Sequence, residues 1–214
     1  MPVRLTPSVL AATAPSYRRR FRLATRLSRR VHVDIMDGAF VPTKSVGPNI
    51  LSHRFQSHTV MFHLMVSRPL DWVPVIRSAR PSTVVVHIES RDVITAIRSI
   101  RRTGCSVVVA INPSTPLSRL RPVLKLVDGI QLMTVHPGHY HAPLIAKADR
   151  RIRETILRYP GVPLSVDGGV NRRTIGRLIA AGAKEFTIGS SVMLSATPAK
   201  RWRELLRFTR TVKS

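Results

Sequence analysis

The sequence predicts a (β/α)8 barrel of the TIM type, an α/β fold, with residues 1–214 forming a single domain. Eight short runs rich in β-branched residues recur along the chain, and segments with helical spacing lie between them. Because each run is almost continuously apolar, it is typical of a parallel strand that is buried on both faces. Eight such units in 214 residues indicate a compact closed barrel rather than an open sheet.

The predicted strands cover, in chain order, residues 4–9, 30–34, 59–64, 83–88, 106–111, 129–135, 163–166 and 184–188. Helical spacing is clearest in residues 92–100, before Gly104, and in residues 173–181, before Gly182. Strands that alternate with helices predict βα units and a parallel sheet. In such barrels the chemistry takes place at the C-terminal ends of the strands, so the polar residues there are the candidates for a site.

Composition disfavours several classes of protein. Hydrophobic residues make up 43% of the chain, and no apolar run reaches the roughly 18 residues needed to span a bilayer. The single cysteine, Cys105, excludes an internal disulfide and a thiolate metal cluster, and it fits a cytoplasmic location. The first 30 residues are arginine-rich like a transit peptide, but residues 3–9 already have the pattern of a first strand. No serine lies in a nucleophile elbow, which disfavours a hydrolase.

The charge of the chain is unusual. Lysine and arginine number 35 against 11 acidic residues, a formal net charge of +24, which predicts attraction to polyanions at low salt. The basic residues are spread mostly over predicted helices, and few aromatic residues lie among them. We therefore interpret them as a solvated outer surface, and nucleic-acid binding by a non-catalytic basic barrel is the less favoured alternative.

Four residues that can bind a metal ion lie at the ends of predicted strands. His32 and Asp34 are two positions apart in the second strand, so their side chains point to the same side. His63 lies near the end of the third strand, and Asp167 follows the seventh. Singly, each has an ordinary explanation as a core histidine or a turn aspartate, but buried charges that converge must be paired or coordinated. Two imidazoles and two carboxylates suit Zn2+ or Fe2+.

Further residues at these ends are candidates for binding a substrate. Met36, Met65 and Met133 lie near strand ends and are interpreted as lining the site rather than filling the core. Two glycine-containing turns follow the last two strands, Gly168-Gly169 and Gly189-Ser190. Barrels often hold phosphate on backbone N–H groups near these two turns, whereas such a pair by itself usually marks only a turn.

With these residues and the motifs around them, the chain resembles the ribulose-phosphate 3-epimerase family. The matching motifs occur in the family's order and at nearly its spacing: Thr6-Pro-Ser-Val-Leu10, His32-Val-Asp-Ile-Met-Asp-Gly-Ala-Phe-Val-Pro42, His63-Leu-Met65, Val86-His-Ile-Glu89, Ala110-Ile-Asn-Pro-Ser-Thr-Pro-Leu117, Met133-Thr-Val-His-Pro-Gly138, Val166-Asp-Gly-Gly-Val170 and Ile188-Gly-Ser190. The motif that begins at His32 and the motif that begins at Val166 are highly specific in combination. The resemblance implies the ribulose-phosphate-binding type of barrel.

The resemblance also implies a site and a reaction. One divalent metal ion, Zn2+ or Fe2+ with Mn2+ or Co2+ as alternatives, would be held by His32, Asp34, His63 and Asp167. The two aspartates would be the acid and the base that epimerise D-ribulose 5-phosphate to D-xylulose 5-phosphate at C3 through an enediolate. The substrate would contact Ser8, His63, Met36, Met65, Met133, Gly138, Gly168, Gly169, Gly189 and Ser190. Family members are often homo-oligomers, and no membrane partner is expected.

One loop departs from the family's pattern. After Gly138 the family continues with an aromatic residue and a glycine-rich stretch, whereas this chain has His139-Tyr140-His141. These side chains could donate to a phosphate, close the pocket or admit another substrate, or they could form a solvated loop without a role in the site. The same chemistry on allulose 6-phosphate, or on another ketose phosphate, is therefore the alternative within this class.

Overall fold

Eight parallel strands close into a barrel in chain order, which confirms the predicted fold class. The computed structural model describes residues 2–52, 55, 57–138 and 142–212. The strands are Arg4–Val9 (β1), Arg30–Met36 (β2), Thr59–Met65 (β3), Thr83–His87 (β4), Ser106–Ile111 (β5), Gly129–Met133 (β6), Leu164–Asp167 (β7) and Glu185–Ile188 (β8). Strand β8 pairs with β1 and so leaves no open edge.

Helices surround the barrel. They are Ala14–Leu27 (α1), Pro48–Leu51 (α2), Val73–Ala79 (α3), Val93–Arg101 (α4), Ala148–Arg158 (α5), Ile175–Ala180 (α6), Ser190–Met193 (α7) and Pro198–Thr211 (α8). Helix α1 begins after Thr13, whose hydroxyl accepts the N–H of Ser16. A proline is tolerated in the first turn because the backbone N–H that it lacks would have no partner within the helix. Within the described part of the chain, no helix is both long and apolar enough to cross a membrane.

The connection between β5 and β6 differs from the predicted alternation of strands and helices. It contains two short 3-10 helices, Leu117–Leu120 and Leu124–Leu126, and no α-helix. Pro116 and Pro122 lie in this stretch, and proline lacks the backbone donor that a longer helix would need. The connection therefore crosses the outside of the barrel in short turns.

Alternate residues of a strand face opposite sides of the barrel wall. In β2, Val31, Val33 and Ile35 are fully buried in the main apolar cluster between the barrel and its helices. Burying each such side chain contributes roughly 1.5–3 kcal/mol to the free energy of unfolding, relative to leaving it exposed. His32 and Asp34 occupy the intervening positions and therefore face the barrel interior.

The pairing register brings the interior polar residues together. Asp34 of β2 lies directly opposite His63 of β3, and Met133 of β6 lies opposite Asp167 of β7. Because all strands run parallel, these pairs lie at the same end of the barrel, the end where β2, β3 and β7 finish. The strands themselves thus set the positions of the predicted site residues.

The turn after β7 depends on a glycine. Gly168 has a φ of +106°, and a Cβ there would lie 2.4 Å from Cγ2 of Val135. The Thr134 hydroxyl donates to the carbonyl oxygen of Gly168 at 2.6 Å, and the Thr134 N–H donates to that of Asp167 at 2.8 Å. These contacts tie the end of β6 to the turn and fix the backbone that carries Asp167.

Gly168→Ala is expected to destabilise the fold by more than left-handed backbone strain alone. Gly104→Ala is the matched control, because Gly104 has a φ of +87° but a Cβ there would meet no atom within 4 Å. The control should lose about 1–2 kcal/mol, and Gly168→Ala should lose at least about 1 kcal/mol more through the contact with Val135. Urea unfolding measures both. Equal losses would mean that Val135 moves aside without cost.

Candidate metal centre

Four side chains from three strands meet at one point in the barrel. Each of His32, Asp34, His63 and Asp167 offers one nitrogen or oxygen atom, and these atoms all lie within 4.8 Å of one another. His32 and Asp34 come from β2, His63 from β3 and Asp167 from the end of β7. The structure therefore brings together the four residues that the sequence predicts as ligands.

His63 lies at the centre of this cluster. Its Nδ1 is 3.1 Å from Oδ1 of Asp34 and 3.3 Å from Oδ2 of Asp167, and its side chain is fully buried. Burial lowers the pKa of His63, but hydrogen bonds from its ring to the two carboxylates, and their negative charge, outweigh burial and raise the pKa to about 9. At neutral pH the metal-free cluster thus holds a proton on His63, and a cation bound at Nδ1 would displace it.

Asp34 is ionised in this environment. Burial raises the pKa of its carboxyl group, but the imidazoles of His32 and His63 outweigh burial and hold the pKa well below its ordinary value. The carboxylate therefore remains available as a ligand or a base throughout the neutral range.

His32 provides the test of whether a metal fits here. Its side chain is fully buried, and among the described residues neither ring nitrogen has a hydrogen-bond partner. Nδ1 approaches Oδ1 of Asp34 at 3.4 Å, but without the geometry of a hydrogen bond. A buried unsatisfied nitrogen costs roughly 1–3 kcal/mol. A divalent cation would be coordinated by one of these two nitrogens. The set of two imidazoles and two carboxylates suits Zn2+ or Fe2+.

A cavity of about 460 Å³ reaches both aspartates. Its wall includes most of the residues predicted to bind a substrate: Ser8, Met36, Met65, Met133, Gly138, Gly168, Gly169, Gly189 and Ser190. His32 and His63 lie behind the wall and are fully buried, so contact between His63 and a substrate stays a prediction. The altered loop, His139 to His141, lies outside the described residues.

One end of the cavity carries an arginine that the sequence analysis did not assign to the site. Arg173 lines this end together with Asn171 and Thr174, next to the glycine turns after β7 and β8. The Asn171 side chain accepts the N–H of Arg173 at 2.9 Å and thereby shapes the turn. The neighbouring Arg172 instead stacks on the ring of Phe208, 3.6 Å from its centre. Only the structure shows that Arg173 lines the cavity and that Arg172 does not.

His87 and Glu89 lie behind His63 and were not predicted as site residues. Nε2 of His87 is 2.9 Å from Nε2 of His63, and its Nδ1 is 3.3 Å from Oε2 of Glu89. Burial lowers the pKa of His87 to about 4, which leaves its imidazole neutral. A polar residue at the end of the apolar run Thr83–His87 is the sequence signal that would have indicated it.

Gln131 is another buried polar residue that the sequence analysis did not assign. Its Nε2 donates to Oδ2 of Asp167 at 3.1 Å, and its buried Oε1 has no hydrogen-bond partner in the described part of the chain. The residue interrupts the otherwise apolar strand β6. Its amide thus helps to orient the carboxylate of Asp167.

Comparison with known proteins places this geometry in context. The sequence model of the ribulose-phosphate 3 epimerase family matches residues 4–193. The chain is 35% identical over 199 residues to ribulose-phosphate 3-epimerase of Rhodobacter capsulatus, covering 89% of this chain and 86% of the relative. It is 37% identical over 171 residues to that of Escherichia coli, covering 76% of each. It is 33% identical over 178 residues to the cytoplasmic isoform of rice, covering 79% and 78%.

Solved structures agree on the fold. The 3-hexulose-6-phosphate synthase of Salmonella typhimurium superposes with a TM-score of 0.74 at 16% identity, covering 98% of this chain and 100% of that one. The KGPDC of Streptococcus mutans superposes with a TM-score of 0.73 at 11% identity, covering 99% of both chains. At these identities the likeness establishes the barrel alone.

His32→Leu is expected to remove most of the stabilisation that Zn2+ gives the fold, because the cation loses one ligand. In the metal-free protein two effects oppose each other: leucine removes two buried nitrogens without hydrogen-bond partners among the described residues, but it also removes the imidazole that favours the ionised carboxyl group of Asp34. Thermal unfolding with a chelator and then with Zn2+ measures the stabilisation by the metal. His136→Leu, at an exposed position, is the control and should leave that stabilisation unchanged. Equal stabilisation of His32→Leu and wild type by Zn2+ would contradict this account of His32.

Proposed function

The chain belongs to the ribulose-phosphate 3-epimerase family, a family of isomerases, and from this premise we propose that it interconverts D-ribulose 5-phosphate and D-xylulose 5-phosphate at C3. The observation that carries the proposal is that Asp34 and Asp167 both reach one cavity while both contact the same imidazole. Two carboxylates so placed are what an inversion by proton removal and return requires.

One divalent metal ion is part of the proposal. His32, Asp34, His63 and Asp167 would hold it, and Zn2+ or Fe2+ suits this donor set. When bound, the ion supplies positive charge that stabilises the negative charge of an enediolate. The unsatisfied nitrogens of His32 support its presence independently of the family.

The two aspartates perform the proton transfers. In the closed barrel, β1 and β8 lie between β2 and β7, so Asp34 and Asp167 reach the cavity from different sides. One carboxylate removes the C3 proton of the ketose, and the other returns a proton to the opposite face, which inverts the centre. Each positioned group contributes roughly 10²–10⁴-fold to the rate.

Three methionines keep water from the reacting carbons. Met36, Met65 and Met133 line the cavity, and each has at most 5% of its surface exposed. Their thioethers offer only weak acceptors, so they neither protonate an enediolate nor compete with the aspartates for protons. The wall they form favours return of the proton by a carboxylate over quenching by bulk water.

The phosphate of the substrate binds at the end of the cavity where Arg173 lies. The turns at Gly168-Gly169 and Gly189-Ser190 border this end and present backbone there. A Cβ at Gly169 would lie 3.0 Å from the backbone of Leu144, so the turn needs glycine for its close approach. The guanidinium of Arg173 adds a fixed charge that a dianion can pair with.

We further propose a location, a domain organisation and an assembly for the enzyme. We place it in the cytoplasm as one barrel domain spanning residues 1–214, acting on a small ketose phosphate, alone or as a homo-oligomer. A rice relative carries the name cytoplasmic isoform, which supports this placement.

In D2O, the metal-loaded protein is expected to convert ribulose 5-phosphate to xylulose 5-phosphate and to incorporate deuterium at C3. Asp34→Asn and Asp167→Asn should each reduce conversion by roughly 10²-fold or more. Because the remaining aspartate still serves one face, each variant should exchange the C3 proton of one epimer only, and the two variants should differ in which epimer that is. NMR of C3 follows conversion and exchange separately.

The metal content of each variant is measured alongside, since both aspartates are candidate ligands. A wild-type protein loaded with metal that exchanges neither epimer would refute the proposed substrate. Variants that both exchange the same epimer would refute the assignment of one aspartate to each face.

Arg173→Ala is expected to raise KM for ribulose 5-phosphate by about tenfold, with kcat little changed, because a partly exposed charged hydrogen bond to phosphate contributes about 1.5 kcal/mol. Arg172→Ala is the matched control, as its guanidinium stacks on Phe208 instead of lining the cavity. Steady-state kinetics at constant ionic strength compares them. Equal effects of the two substitutions would indicate general attraction by the basic surface rather than a phosphate contact.

A further inference from the structure

The side of His63 that faces away from the proposed metal meets a second histidine edge to edge. The two Nε2 atoms are 2.9 Å apart, the ring centres are 5.0 Å apart, and the ring planes differ by 13°. Rings stacked face to face could not bring two nitrogens so close at this centre separation. The rings are therefore nearly coplanar, in the orientation that an N–H···N hydrogen bond prefers.

Metal binding would determine the direction of this hydrogen bond. The atom of His63 that faces Asp34 and Asp167 is Nδ1, and a ligating nitrogen must offer its lone pair. The hydrogen of the neutral ring then lies on Nε2. Nε2 of Gln131 is 3.4 Å from it but is a donor that is already directed at Asp167, so His87 is the acceptor among the described residues.

The tautomer of His87 follows from the same reasoning. Since its Nε2 accepts, the neutral ring carries its hydrogen on Nδ1, which lies 3.3 Å from Oε2 of Glu89. The other oxygen of Glu89 accepts the N–H of Asn112 at 2.9 Å, and the Asn112 carbonyl accepts from Arg151 at 3.0 Å. The carboxylate is thus held in place from the outside of the barrel.

We propose that His87 and Glu89 are positioning residues for the metal centre, which orient His63 and fix its hydrogen on Nε2 so that Nδ1 is free to bind the cation. This inference rests on the proposed metal-binding function. It assigns a role to two residues that neither bind the ion nor line the cavity. A ring held in one tautomer by a carboxylate behind it is a more basic and better-oriented ligand.

A purely structural role for His87 predicts something different. Its ring also packs against Phe40, with centres 4.7 Å apart, and it is fully buried. If packing alone mattered, an aliphatic side chain of similar volume would serve as well as an imidazole. If the hydrogen bond matters, the replacement must keep an acceptor near the position of Nε2.

The test compares three variants by their affinity for Zn2+, measured by competition with a chelator. His87→Leu fills the space without an acceptor and is expected to bind Zn2+ roughly 10–100-fold more weakly. His87→Gln keeps an amide oxygen near the position of Nε2 and should retain most of the affinity. Glu89→Gln preserves volume but removes the charge behind His87, and it should lose affinity in the same direction as His87→Leu.

The outcomes separate this inference from the proposed function. A wild-type protein that binds no Zn2+ would refute the metal centre itself. Normal affinity in His87→Leu, or equal losses in His87→Leu and His87→Gln, would refute the positioning role while leaving the centre intact. Should His87→Leu not fold, unchanged affinity in Glu89→Gln overturns the proposal and weakened affinity supports it. The visible spectrum of bound Co2+ reports in parallel whether the coordination geometry changes.

Discussion

The arrangement of two carboxylates around one imidazole nitrogen constrains everything else in this site. Oxygen atoms of Asp34 and Asp167 lie within 3.3 Å of Nδ1 of His63 inside the barrel. Two buried negative charges are tolerated only with positive charge between them. A proton on His63 meets this need in the metal-free protein, and a divalent cation would meet it better, because it would also bind one nitrogen of His32. The strand register, the apolar wall and the residues behind His63 all maintain this one arrangement.

The strands and the turns of the barrel contribute different parts of the candidate site. The proposed proton-transfer groups and metal ligands lie on or directly after strands, where pairing on both sides fixes their direction. His87 ends β4, so even the residue behind His63 belongs to the strand scaffold. The part of the cavity proposed to bind phosphate, in contrast, is formed by turns and by Arg173, which precedes helix α6. Sites built on strands keep reacting groups in place, whereas loops adapt a barrel to its substrate.

The sequence predicted what depends on local pattern, and it did not predict what depends on contacts between strands. Apolar runs gave the eight strands nearly to their ends, and polar residues at those ends gave the four candidate ligands. The helix expected after β5 is absent because prolines interrupt that stretch. Gln131 was overlooked because one polar residue in an apolar strand has no distinctive spacing. Arg172 and Arg173 are adjacent in sequence, and only the packing of Phe208 decides which of them faces the cavity.

Residues that violate the rules of a stable core are here the ones that carry the proposed chemistry. A barrel optimised for stability would place an aliphatic residue where His32 stands, since among the described residues its two buried nitrogens have no hydrogen-bond partner. The fully buried aliphatic residues on the opposite face of β2 offset that cost. Because the same nitrogens are unsatisfied before a cation arrives, none of their bonds must be broken to bind it. In the proposed metal centre, the cost of these unsatisfied nitrogens would add to the affinity for the cation, so that stability and function are coupled through one side chain.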